Sequence, residues 1–230
     1  MRDLDERPPT RREERARLRR ERDGSGPARE GAEPQRNPGA SGRFALLGEV
    51  LWTGLLIAVV GIAVVTLPAA LAAGIRHLRR CVAAEDSRMG LFWRDVRAGL
   101  VPGAAVGLGA LVLTLVLLLD IDLARSGFLP GGPVIEVVGW VGLAVVAVVL
   151  LASAGAWTPD IGWRGALRTT AQVVRDDVAG AVYLLATAGF VVVVTWALIP
   201  LVIPALGCAA LAVVAIPVRP RSAARRATSR

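Results

Sequence analysis

The sequence predicts an all-α fold: a polytopic transmembrane helical bundle of five full spans with a re-entrant half-helix at about 67–80. Three observations lead there. First, 54% of the 230 residues are hydrophobic and the mean hydropathy is +0.54, more apolar than an ordinary soluble domain. Second, the apolar residues gather in five blocks, 44–67, 98–119, 134–156, 179–199 and 201–218, each with at most one ionisable group before its final residue. At about 1.5 Å per helical residue, blocks of this length reach across a hydrocarbon core of about 30 Å. Third, the charge lies almost wholly between and outside the blocks. Valine is abundant, but a lipid-exposed backbone must satisfy its own hydrogen bonds, so long apolar runs become helices.

Residues 1–43 precede the first block. They carry twelve Arg and nine Asp or Glu, with scattered proline and glycine. Their apolar content is too low for a core, which predicts a disordered, Arg-rich cytoplasmic tail. The transmembrane domain is expected over 44–218 and a short basic cytoplasmic tail over 219–230.

The first block raises the main topological question. It runs into "TLPAALAAGIRHLRR", residues 66–80. Pro68 lacks an N–H and disfavours helix in the residue before it, so the chain is expected to break there. The returning arm, Leu67 to Ile75, is about 13 Å of helix, half a membrane. Such an arm is tolerable when packed against protein, with Arg76, Arg79 and Arg80 reaching the cytoplasmic surface. This arrangement puts both termini inside. The alternative is five plain spans with an external N-terminal tail.

The loops set the orientation, because basic residues near membrane ends favour the cytoplasm. The 76–97 loop has six arginines, the 157–178 loop three, the tail from 219 five and the 120–133 loop one. The first three are expected inside and 120–133 outside. Trp93, Trp157 and Trp163 would then lie near the cytoplasmic interface, and Trp140 and Trp196 near the outer one. Trp52, deeper, is expected to be a packing residue. Gly103 and Gly107 form a small-xxx-small pair that lets helices approach closely. Pro200 and Pro204 mark the turn between the last two spans.

Several function classes are disfavoured. The formal charge is +8, and all 27 basic residues are arginine. No zinc spacing, recognition-helix pattern or aromatic–basic interleaving accompanies that charge, so no nucleic-acid partner is expected. His77 is the one histidine, and Cys81 and Cys208 form no CxxC. No metal-ligand spacing is therefore present, and neither metal nor cofactor is expected. Cys81 is expected at a membrane surface and Cys208 as a small packing residue. There is no Walker loop, GxSxG or HExxH, so the chain is not expected to be an enzyme.

Among the charged residues, Glu49 lies inside the first span. A carboxylate there faces protein or water, either as a proton- or substrate-linked group or paired with a loop arginine. Asp120, Asp122 and Glu136 can be read as an acidic outer mouth or as ordinary solvated charge. Asp176 and Asp177 read as surface charge.

"EVLWTGLLIAVVGIAVVTLPAALAAGIRHLRR" followed by "SRMGLFWRDVRAGLVPGA" resembles the YesL-like family of small bacterial integral membrane proteins, a domain of unknown function. Leu51 and Trp52 match its leucine–tryptophan pair. Thr66, Pro68, Ala69 and Ala72 match its turn and small-residue helix, although here the proline follows the threonine. Phe92, Trp93 and Asp95 match its aromatic segment. The resemblance covers residues 44–110. It implies a bacterial plasma-membrane protein with an accessory role in carbohydrate uptake and ABC-transporter subunits as partners. The partner-facing surface would be the basic, aromatic 76–97 segment, with Arg76, Trp93, Arg94 and Asp95. The competing expectation is a small secondary transporter with a broken-helix site near Pro68 and Glu49.

Overall fold

A computed structural model describes residues 43–83, 85–126 and 131–216. The expectations for the N-terminal tail and for the tail from 219 lie outside these residues. All regular structure among the described residues is helical: α1 Arg43–Val60, α2 Leu67–Val82, α3 Met89–Arg125, α4 Gly132–Ala156, α5 Gly162–Asp176, α6 Val178–Ala197, a single 3-10 turn at Ile199–Leu201, and α7 Val202–Ala215. Three helices, α3, α4 and α6, are long and apolar enough to cross a membrane, while Leu46–Val60 and Ile199–Ala215 are apolar but shorter. The outward faces of the long helices are apolar, with Val101, Leu119 and Val192 among the exposed side chains.

The first block does not form one helix. It ends at Val60, and the chain reverses through residues 61–66. Val64 adopts φ +52°, uncommon for a β-branched residue. The Thr66 hydroxyl donates to the Val60 carbonyl at 2.5 Å, which ties the two ends of the turn together. Pro68 falls in the first turn of α2, where its missing N–H costs no intrahelical bond. The return is antiparallel. His77 faces Glu49, a Cβ on Gly74 would lie 2.5 Å from Ile57 Cδ1 and 3.2 Å from Thr53 Cγ2, and one on Gly61 would lie 2.8 Å from Leu67 Cδ1.

The returning arm is longer than the sequence suggests. It has 16 residues, about 24 Å, because the helix continues through Arg76, Arg79 and Arg80 to Val82. The expected 76–97 loop therefore shrinks to residues 83–88. Buried acceptors explain this: the arginines find partners on neighbouring helices and have no need to leave the fold. α2 is the centre of the bundle. Pro68 through Ile75 are all buried, enclosed by α1, α3, α4 and α7.

Close backbone approach builds that enclosure. The Gly103–Gly107 pair lies on α3 against α2. A Cβ on Gly103 would lie 2.9 Å from Ala69 Cβ, and one on Gly107 would meet the Val65 carbonyl and Pro68. On the other flank, Gly54 of α1 meets α7 at Ile203 and Gly207, and Gly207 in turn faces the Val50 carbonyl. The 3-10 turn at Pro200 joins α6 to α7, as expected from the prolines.

The expected 157–178 loop contains α5. Its sequence, "GWRGALRTTAQVVRD", alternates with helical period. Trp163, Ala166 and Thr170 are buried, while Arg164, Arg168 and Arg175 are exposed. One end of the bundle thus gathers Arg76, Arg79, Arg80, Arg94, Arg97, Arg164 and Arg168. Arg125 is at the other end, where the C-terminus of α3 meets the N-terminus of α4.

Candidate functional site

The polar core of the protein is built by the last turns of α2. Arg76 and Arg80 are four residues apart, as are His77 and Cys81. Helical spacing puts each pair on its own face, with the two faces about 100° apart. The arginine face meets α3. Asp95 is fully buried, and its Oδ2 lies 3.2 Å from Arg76 Nε and 2.6 Å from Arg80 Nη2. Two cations sharing one carboxylate oxygen offset much of the cost of removing that carboxylate from water. The arrangement is not saturated: among the described residues, Asp95 Oδ1, Arg76 Nη1 and Arg80 Nη1 are buried without a partner.

Tryptophans close this side. The Arg76 guanidinium lies 5.7 Å from the Trp157 ring centroid, a cation–π distance. Trp157 and Trp163 pack at 6.0 Å between centroids. Trp163 donates its Nε1–H to the Gly99 carbonyl at 3.2 Å, which fastens α5 to α3. Arg79 donates from Nη2 to the Gly155 carbonyl at 3.0 Å, satisfying one of the open acceptors at the C-terminus of α4.

The other face of α2 meets α1. His77 Nε2 lies 3.7 Å from Glu49 Oε2 and 3.8 Å from Cys81 Sγ. His77 and Cys81 are buried, and the Glu49 side chain is one-third exposed. The His77 ring meets the edge of Phe92 at 6.2 Å, and Phe92 meets Trp93 at 5.5 Å.

The residues singled out from the sequence fall into three places. Arg76 and Asp95 come together, joined by Arg80. Glu49 pairs with His77, so the expected loop arginine is not its partner. Thr66 and Pro68 lie at the opposite end of the hairpin. Ten residues of α1 lie between Glu49 and Val60, about 16 Å of helix, so Glu49 and Pro68 do not share a site. Trp52, Trp93 and Arg94 are exposed. For Trp52, on the outer face of α1, this corrects the expected packing role.

Other residues take more specific places. Trp157 and Trp163, at the arginine-rich end, are core residues, 1% and 3% exposed: Trp157 packs against Arg76 and Trp163 against Trp157 and Gly99. Cys81 is buried and Cys208 exposed, the reverse of the expected pattern. Glu136 is held by Arg125, whose Nε and Nη2 lie 2.8 and 2.5 Å from Oε1, so it adds no free charge to an acidic mouth. Asp177 accepts from the Gly180 N–H at 2.9 Å and caps α6.

Arg80, His77, Cys81, Trp157 and Trp163 were not chosen from the sequence as site residues. For His77 and Cys81 the available signal was hairpin register: Glu49 and His77 are equally far from Ala63, at the centre of the turn. Comparison of the chain with protein-family models, curated proteins and solved structures finds no match.

Proposed function

We propose that the protein is a multi-pass plasma-membrane protein with both termini in the cytoplasm. It acts as a non-enzymatic accessory or regulatory partner of a carbohydrate transport system, as the YesL-like resemblance implies. The membrane reading is supported by the three long apolar helices and their apolar outward faces, because exposed apolar surface on this scale needs lipid or protein to cover it. The gathering of arginine at one end supports the orientation.

One observation carries the partner reading. Asp95, buried beneath Arg76 and Arg80, anchors the first turns of α3, and those turns present Trp93, Arg94 and Arg97 outward. Asp95 is therefore a positioning residue, and the contact surface is the exposed aromatic–basic face beside it. Exposed tryptophan and arginine are the residue types that dominate binding energy in protein interfaces.

The test is purification of the full chain from its own membranes, with copurifying proteins identified by mass spectrometry. Subunits of an ABC transporter should be enriched with the native chain. They should fall about tenfold or more in the Trp93→Ala, Arg94→Glu variant at equal yield. No enrichment over an unrelated membrane protein would end this reading.

A further inference from the structure

We propose that Glu49, His77 and Cys81 bind one divalent transition-metal ion of the Zn2+ class, clipping α1 to α2. The proposal rests on the geometry of these three side chains and is independent of the accessory function.

Their potential ligand atoms, a carboxylate oxygen, an imidazole nitrogen and a thiol sulfur, all lie within 4.8 Å of one another. The separation between His77 Nε2 and Glu49 Oε2, 3.7 Å, is too long for a hydrogen bond. It is close to the edge of a coordination tetrahedron. Zn2+ binds nitrogen and oxygen at about 2.0–2.2 Å and sulfur at about 2.3 Å, which puts ligands about 3.3–3.6 Å apart. The Nε2–Sγ distance of 3.8 Å is likewise within a few tenths of an ångström of such an edge. The third pair, Glu49 and Cys81, lies within 4.8 Å, and binding would draw these two side chains together.

The burial of His77 bears on the same site. His77 is 3% exposed, and among the described residues its Nδ1 has no partner, while its Nε2 faces only the Cys81 sulfur and, beyond hydrogen-bond range, the Glu49 carboxylate. A buried imidazole held only by such weak contacts is costly. A metal at Nε2 would replace the long, weak contact with the Cys81 sulfur by a coordinate bond.

Charge favours a dication. Ionised Glu49 and the Cys81 thiolate together neutralise it, so the occupied site carries no net charge into the core. Arg80 adjoins Cys81 in the chain, and its guanidinium is engaged by Asp95. Glu49, partly exposed, provides access from solvent, and the fourth position is left for water. Thiolate with imidazole selects zinc-like ions over Mg2+ and Ca2+.

The test uses the untagged full chain in detergent with Cys208→Ser, so that Cys81 is the one thiol. Co2+ should saturate at one equivalent, with thiolate-to-metal charge-transfer absorption and d–d bands of tetrahedral intensity. Excess Zn2+, but not Mg2+, should slow alkylation of Cys81 about tenfold or more. Glu49→Gln should weaken Co2+ binding about tenfold or more. The alkylation measurement needs no change to the site, so it stands even where a ligand variant fails to fold. Absence of the thiolate band, or equal alkylation with and without Zn2+, would overturn the proposal. Binding that does not saturate at one equivalent would mean adventitious metal and would overturn it too.

Discussion

Arg80 reaches across from α2 to Asp95 on α3 and meets its carboxylate at 2.6 Å, with 12% of the arginine side chain and none of the aspartate exposed. The contact joins the basic patch after the hairpin to the aromatic segment that opens α3. It therefore sets how the first three helices stand together.

Removing the carboxylate leaves two buried guanidiniums without their common anion. Asp95→Asn should cost about 3–5 kcal/mol, the range for breaking a buried pair. Loss of helical circular dichroism with denaturant, in detergent, measures it. The Arg80→Met, Asp95→Leu double variant should lose less than the sum of its single changes. A fully additive result would mean that the two residues act separately.

Two glycines on α3 offer a contrast within one helix. Gly107 lies against the Val65 carbonyl, whereas a Cβ on Gly109 would meet nothing within 4 Å among the described residues. Gly107→Ala should destabilise by about 1–3 kcal/mol through overpacking. Gly109→Ala should be neutral or stabilise by up to about 1 kcal/mol through better helix propensity. Unfolding midpoints of the two variants would give the comparison.

Thr66→Val keeps the shape of the turn residue but removes its hydroxyl donor to Val60. A cost of about 0.5–1.5 kcal/mol is expected, read from the same transitions. No change would show that backbone bonds alone hold the turn.

Orientation can be read chemically. In a background with Cys81→Ser and Cys208→Ser, Ala63→Cys and Asp86→Cys place single thiols at opposite ends of the hairpin, both at exposed positions. A membrane-impermeant maleimide added to intact cells should label the first and spare the second. Labelling of both from outside would contradict a hairpin with its arginines in the cytoplasm.

The helical class, the break before Pro68, the close contact at Gly103 and Gly107 and the proline turn at 200 were all legible, because each follows from local chemistry: apolar length, a missing N–H, a missing Cβ. The boundaries of the basic segments were not. Arg76, Arg79 and Arg80 look like loop residues until Asp95 and the Gly155 carbonyl are known to face them. α5 was hidden in the same way, since its exposed arginines masked a buried stripe of Trp163, Ala166 and Thr170. The grouping of Glu49, His77 and Cys81 depends on the register of two helices, and no short window of sequence contains it.

The central position of α2 bears on how the protein is made. Its neighbours α1 and α3 flank it in the chain, but α7 begins about 120 residues after α2 ends. On the ribosome, then, the hairpin emerges long before the helix that completes its surroundings. A segment with a short apolar stretch and three arginines is a poor candidate for independent insertion. Until α7 arrives, α2 must wait at the membrane surface or in the care of the insertion machinery. Biogenesis should therefore close from the C-terminal end, and a nascent chain stopped before Ile199 should be degraded as an unfinished assembly.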